Sequence, residues 1–413
     1  MIKGEKYYGE VWLPNEEGKT FCVLNFKEDE IFLETNLISS KKGYIRQIKE
    51  QLIFGLFNGI GHLTFLNNQV VKSSSGVVEL KIYKPQYTFY GNHFINVENL
   101  AAKEFKVDNS AIIQWNNKLH WYDPEKNSME RNGEIYQEVF IPSHNLNLEI
   151  NKGISTTSNT ERLLIYNSGH VNLSFSKELS IKEGIESYRI FQKFLLFITG
   201  NSKQFESVSY KCMGCGEWMS LYFIDSLHKK KSGNFIYIEY EEVSKNLTEI
   251  LQMWYSSIKI QFCVDIIIEN LLAEKISHSR RFTNSISAFE AYCKRFGEQP
   301  KNPTLEKFLL AQTELISQIT KIDSVLIKSF CKKIVRTRKD FVHGNEKDNK
   351  VFSEFELFYI SMLLDYVVAI NILKILEVPK GVIEKTILRA EANYSGIQSL
   401  NKLLDEDPLN PGK

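Results

Sequence analysis

Hydrophobic and polar positions along this chain change period once, near residue 240. Before that point short runs alternate apolar with polar and are separated by Gly, Asn, Ser and Asp, which predicts strands at Gly9 to Leu13, Thr20 to Phe26, His62 to Leu66, Val77 to Tyr83, Ile135 to Ile141, Val171 to Phe175 and Phe235 to Tyr240. In Val78-Glu79-Leu80-Lys81-Ile82 the alternation predicts one packed face and one wet face. A helical period interrupts the strands from about Ser180 to Thr199, where Ile185, Tyr188, Phe191, Phe194 and Leu195 recur.

Beyond residue 240 the period is helical throughout. Leu247, Ile250, Leu251, Trp254 and Ile258 form one stripe, continued by Phe262 and Ile266, and Phe282, Ile286, Phe289, Tyr292 and Phe296 form a second. The Gly297 to Pro303 segment breaks the pattern, after which Thr304 can cap a helix from Leu305 to Thr320. Ile322, Leu326, Phe330 and Ile334 predict a fourth helix reaching about His343, and Phe355 to Leu376 a fifth that stops before Pro379. From about residue 393 periodicity fades into a predicted tail containing Asp405, Asp407, Pro408 and Pro411. The expectation is an α+β chain: a mostly β unit over 1–240, an all-α antiparallel bundle over 241–392, and a tail over 393–413.

Composition narrows the class. With 413 residues, 43% hydrophobic and 24% charged, the chain can bury a substantial core, which excludes bulk disorder and a disulfide-held mini-scaffold. Cys22, Cys263, Cys293 and Cys331 stand among apolar residues, as buried thiols of a reducing compartment do, and Met1 to Lys6 lacks the apolar run of an export signal. A cytoplasmic protein is expected. Phe358 to Leu376 is apolar enough to raise a membrane span, but Asp365, Asn371 and Lys374 interrupt it, so a core helix and no membrane partner are expected.

Overall charge is balanced, 51 Lys and Arg against 50 Asp and Glu. The balance hides a basic region: from Ala273 to Asp340 fourteen basic residues face seven acidic ones. That excess suits a polyanion such as RNA, and solvated helix faces are the alternative. The Lys229-Lys230-Lys231 run reads as a solvated loop.

The chemistry concentrates in Arg336-Thr337-Arg338-Lys339-Asp340-Phe341-Val342-His343-Gly344-Asn345. Arg338 and His343 stand five positions apart, about 140° around a regular helix, so the two share no face unless Gly344 ends the helix and lets the chain turn. An arginine that can hold phosphate with two hydrogen bonds and a histidine that titrates near neutral pH suit attack of an RNA 2′-hydroxyl on its own 3′-phosphate, which needs no external nucleophile. Spacing alone leaves a helix-end histidine beside a solvated arginine as the simpler reading.

Arg338-Lys339-Asp340-Phe341-Val342-His343-Gly344, at a helix end in a C-terminal bundle, resembles the R-x4-6-H signature of the HEPN superfamily, with Lys339 where Asn is usual; Arg336 fits the looser spacing. Gly9-Glu10-Val11-Trp12-Leu13-Pro14, Gly61-His62-Leu63-Thr64-Phe65, Gly91-Asn92-His93-Phe94 and Ile112-Ile113-Gln114-Trp115 resemble the ApeA N-terminal domain, which precedes an ApeA-like HEPN domain in bacterial anti-phage proteins. The resemblance implies a metal-independent ribonuclease acting on host RNA, such as tRNA, as a homodimer, with the N-terminal part sensing a phage component. It implies His343 as general base or acid, Arg338 as phosphate ligand, and Glu290 as an orienting carboxylate, unless Glu290 pairs with Lys294 one turn on. Arg336, Lys339 and Asn345 are expected to support RNA contacts. HEPN bundles without activity leave a non-catalytic RNA- or protein-binding module as the alternative.

Other motifs carry less. Cys212-Met213-Gly214-Cys215 has the spacing of half a zinc site and no second pair completes it, so a turn and no cofactor are expected there, with zinc at Cys212 and Cys215 as the weaker alternative. Phosphate loops of the G-x-x-x-x-G-K-[ST] type are absent.

Overall fold

The structure is a computed structural model. It describes residues 4–405 except 15, 17, 28–29, 38–51, 75–78, 92–99, 117–120, 124–127, 131–134, 159–162, 201–204, 213–215, 224–235, 274–275, 298–301 and 344–350. Gly344, Asn345, Cys215 and the Lys229 to Lys231 run lie outside the described residues.

The first seven strands are β1 Lys6–Trp12, β2 Thr20–Lys27, β3 Glu30–Thr35, β4 Ile53–Phe57, β5 Gly61–Ser74, β6 Leu80–Tyr90 and β7 Ala102–Asn109. Helix α1 Ser110–Trp115 follows, then a small hairpin of β8 Trp121–Asp123 and β9 Ser128–Glu130. Next come β10 Ile135–Ile141, β11 Leu146–Ser158, β12 Leu163–Leu179, helix α2 Ile181–Thr199, β13 Phe205–Cys212 and β14 Trp218–Phe223. Strands β6, β3, β2, β1, β4 and β5 pair antiparallel in that order, and β5 pairs back to β6, which closes a barrel. Its inside is filled by alternating residues such as Val11, Cys22, Leu24, Leu33, Leu63 and Phe65. Gly9 faces Phe57 across the β1–β4 pair, and a Cβ there would meet the Leu56 carbonyl oxygen, so the barrel closes only with glycine at that point.

The far end of β6 pairs with β14, which opens the barrel into a sheet ordered β14, β13, β7, β12, β11, β10. Against this sheet lies α2. Its start is fixed by a capping box, in which the Ser180 hydroxyl accepts from the Glu183 amide and the Glu183 carboxylate accepts from the Ser180 amide, and its end by Gly200 in the left-handed conformation. Thirteen of its nineteen residues are buried, because it packs on both sides. Toward the sheet, Gly184 sits on the Phe105 ring, leaving no room for a Cβ, and Tyr188 accepts a hydrogen bond from Asn109.

Toward the C-terminal half, α2 meets α4 and α5. After α3 Tyr240–Val243 the helices are α4 Leu247–Ser256, α5 Ile258–Leu272, α6 His278–Phe296, α7 Leu305–Ala311, α8 Thr313–Thr320, α9 Ser324–His343, α10 Glu356–Ile375 and α11 Lys380–Asp405. Trp254 packs on Phe194 and Phe197 and donates from its indole N–H to the Ile190 carbonyl, the Tyr255 hydroxyl donates to the Ser187 carbonyl, and Lys193 pairs with Asp265 at 2.6 Å. One hydrophobic cluster therefore runs from the sheet through α2 into the bundle.

Several expectations are corrected. Ile236–Glu239 pairs with no strand among the described residues: Ile236 and Ile238 are buried and the Ile238 amide donates to the Ile198 carbonyl, so the alternation reflects burial of a connecting segment. Leu80, Lys81 and Ile82 are all half-buried, without the expected wet and dry faces, since the barrel and its extension flank β6. The stripe from Leu247 to Ile266 is two helices, because Ser257 breaks the first and caps the second, leaving Ile258 84% exposed. The helix expected over Leu305 to Thr320 also breaks, at Gln312. In α9 the buried face is Ile327, Cys331, Ile334 and Thr337, and Leu326 is exposed. The tail expected from residue 393 is helical to Asp405, with Asn393 donating to the Tyr366 hydroxyl and Tyr394 buried against Tyr359.

Among the described residues Cys22, Cys263, Cys293 and Cys331 are free and buried, and burial pushes the thiols of Cys263 and Cys331 up to about 11 and of Cys293 to about 12. Helix α10 is long and apolar enough to cross a bilayer, and most of it is buried inside the bundle. Its Asp365 is fully buried; Asn270 on α5 donates to it at 3.4 Å and to Ser285 on α6 at 3.0 Å. Burial raises the Asp365 carboxyl to about 6, opposed by Arg281 and the hydrogen bonds from Ser285 and Asn270.

A carboxyl that holds its proton more tightly when folded loses stability as pH climbs from the unfolded value through about 6. Asp365→Asn removes that dependence. Measured by denaturant unfolding, the variant gains on wild type by on the order of 3 kcal/mol between pH 4 and pH 7. An unchanged difference contradicts a buried, proton-holding Asp365.

Candidate active site on helix α9

Helix α9 carries the basic stretch and ends at His343, whose side chain lies outside the described residues. Its orientation is set by Thr337, which is completely buried. The Thr337 hydroxyl donates to the Lys333 carbonyl at 2.8 Å and accepts the Phe352 amide at 3.1 Å, so it ties α9 to the strand of chain that leads into α10. Phe352 also packs edge-on to Phe330 at 5.7 Å and lies under the Lys333 ammonium, which reaches Glu356 at 3.8 Å. Thr337 carries no charge and no catalytic atom, and sequence reasoning passed over it. The signal was the spacing Ile327, Cys331, Ile334, Thr337, the inward stripe of α9.

With Thr337 inward, its neighbours are distributed around the helix. Arg338 is half-buried and turns to α6, where its Nη2 lies 3.5 Å from Glu290 Oε2. Glu290 is the more buried partner, with 19% of its side chain exposed against 39% for Arg338. The carboxylate therefore holds one edge of the guanidinium from inside and leaves the rest reachable from solvent, a geometry in which a planar fork can still grip an oxyanion. Arg336 and Lys339 are exposed. On a regular helix Arg336 and Lys339 share a face with position 343, whereas Arg338 is about 140° from it. The structure thus brings Glu290 and Arg338 together and leaves Arg336 and Lys339 outside. Cys212 ends β13, and the Cys212 and Cys215 side chains are outside the described residues.

Comparison with known families adds to this geometry. ApeA N-terminal domain 1 matches residues 6–254, and Apea-like HEPN matches residues 222–382. The chain belongs to the ApeA family. No curated protein and no solved structure matches it. The two ApeA regions overlap over the Ile236–Glu239 connection and α4, the part of the chain that packs on α2. An ApeA N-terminal domain followed by this HEPN domain is the architecture of an anti-phage defence HEPN protein. HEPN domains are generally ribonucleases, and Arg338, His343 and Glu290 all fall within the HEPN match.

Thr337→Val keeps the shape of the side chain and removes the acceptor for a buried amide. Stability should fall by about 1–3 kcal/mol in chemical denaturation. Thr337→Ser, which restores the acceptor, should recover most of the loss. Equal loss in both variants would show that the methyl group, rather than the hydrogen bond, fixes α9.

Proposed function

We propose that this ApeA-family protein is an endoribonuclease that cleaves host RNA, such as tRNA, during phage infection. The observation that supports the reading is the Glu290-held Arg338 on a helix that ends at His343, inside a HEPN domain. In the proposed reaction His343 takes the proton of an RNA 2′-hydroxyl, the 2′-oxygen attacks the adjacent phosphorus, and the 5′-oxygen leaves with a proton returned by a protonated histidine. Arg338 neutralises the charge that builds on the non-bridging phosphate oxygens. The products are a 2′,3′-cyclic phosphate and a 5′-hydroxyl. The nucleophile comes from the substrate, so the proposed step needs no metal.

Glu290 acts as a positioning residue. Arg336 and Lys339 contact RNA on either side of the scissile bond, and Asn345 supports the segment after the helix. In the same proposal the chain works as a cytoplasmic homodimer with one arginine–histidine pair from each copy facing a common cleft, and the N-terminal domain detects a phage component. The continuous core through α2 supports such coupling, because the two halves cannot shift independently without exposing Trp254 and Phe194.

A second reading rests on the same pair. An arginine already bound to a carboxylate is also what a non-catalytic bundle uses to join two helices.

His343→Ala separates the two. Wild type and variant are expressed under tight control with and without phage, and RNA ends are mapped. Cleavage in wild type alone, leaving cyclic phosphates, is expected. Intact RNA in both, with phage present, or cleavage that persists in the variant, overturns the proposed mechanism.

A further inference from the structure

The exposed face of α9 carries more positive charge than the Arg338 pair needs. Over Ser324–His343 the helix has six lysines and arginines and one acid, Asp340, next to the last of them. Lys328, Lys332, Arg336 and Lys339 are all exposed. Their spacing of four, four and three residues puts them within an arc of about 80° and over a length of about 17 Å, with steps of about 6, 6 and 4.5 Å. Position 343 continues the same arc.

Several lysines on other helices are matched by acids: Lys193 with Asp265, Lys321 with Glu391, and Lys385 with Glu242. On α9 itself the two basic side chains that leave the outward face are matched as well, Lys333 with Glu356 and Arg338 with Glu290. The four on the outward face have no ionic partner among the described residues. Lys328 with Lys332, and Lys332 with Arg336, are like charges one turn apart, which costs a helix stability rather than adding to it. A row that conflicts with its own helix and is left unneutralised by its neighbours fits a ligand that supplies the missing anions in a line.

We infer that this face is a track for the sugar–phosphate backbone of single-stranded RNA, holding the strand that flanks the bond to be cut. The inference rests on the ribonuclease reading and extends it along the helix, away from the reacting phosphate. A linear polyanion matches the row better than a protein surface does, because from Lys328 to Lys339 the arc carries basic side chains alone and its apolar residue, the 82% exposed Val325, stands at one end, whereas protein interfaces are centred on a desolvated apolar core. Contacts of this kind contribute affinity without base preference and depend steeply on salt.

The test uses the full chain with His343→Ala, so that RNA survives the measurement, and a labelled single-stranded RNA followed by fluorescence anisotropy over a salt series. In that background Lys328→Gln with Lys332→Gln should weaken binding at low salt by about tenfold and flatten the plot of log Kd against log salt by about 1.4, the value for two phosphate contacts on a single strand. Lys245→Gln with Lys259→Gln, exposed lysines on other elements, should leave both unchanged.

An unchanged slope in the Lys328 and Lys332 variant overturns the track, as does equal competition by polyglutamate, which would show a general anion surface. The ribonuclease reading is judged separately, by RNA cleavage in the chain with His343 intact. Cleavage with an unchanged slope removes the track alone. A flattened slope in a chain that never cleaves RNA removes the ribonuclease and leaves the track.

Discussion

Helix α2 is buried around its circumference except for one charged strip, Lys182, Glu186, Arg189 and Lys193, and that single constraint organises the molecule. A helix with one oily stripe can sit on a surface, but one buried over thirteen of its nineteen residues must be covered from both sides. The sheet covers one side, through Phe105 and Asn109, and α4 and α5 cover the other, through Trp254, Tyr255 and Asp265. Burial of Trp254 alone removes an aromatic surface of the kind that dominates core energetics, and its indole N–H still finds the Ile190 carbonyl. The barrel, the sheet and the bundle are consequently parts of one packed core rather than beads on a linker. The overlap of the two family matches across this region is consistent with that continuity.

A second constraint acts on α9, where one buried hydroxyl decides what three basic residues do. Thr337 faces inward because its oxygen satisfies the Phe352 amide. The helical period then sends Arg338 toward Glu290 and leaves Arg336 and Lys339 in water. Residues close in sequence thus receive different surroundings: Arg338 is held by a carboxylate of α6, and Arg336 and Lys339 are exposed. An ion pair with a third or more of the arginine exposed adds at most about 1 kcal/mol to stability, so the pair's weight lies in orienting the guanidinium.

Much of this was legible in the sequence, and the parts that were not share a cause. The change of period near residue 240, the α+β class, the α2 helix with its Ser180 start and the Arg338 to His343 stretch follow from spacing or resemblance. The helix breaks at Ser257 and Gln312 escaped because apolar residues on both sides keep the period, so one stripe reads as one helix. The face of α9 escaped because a buried threonine and cysteine count as polar or neutral in a hydropathy pattern, while the exposed Leu326 counts as core. Barrel closure depends on β1 reaching β4 and β3 reaching β6, pairings between segments far apart in the chain that no local pattern encodes. Glu290 was legible only as a polar residue in an apolar stripe; its partner across the bundle became visible once α6 and α9 were placed side by side.

The central claim is that Glu290 acts through Arg338, and a double-mutant cycle on RNA cleavage addresses it directly. Single-turnover rates are measured for wild type, Glu290→Gln, Arg338→Ala and the double variant, each checked for folding. The account predicts that Glu290→Gln slows cleavage in wild type but adds almost nothing once Arg338 is gone, so the two changes are strongly coupled. Independent effects that multiply, or full activity in Glu290→Gln, would contradict it.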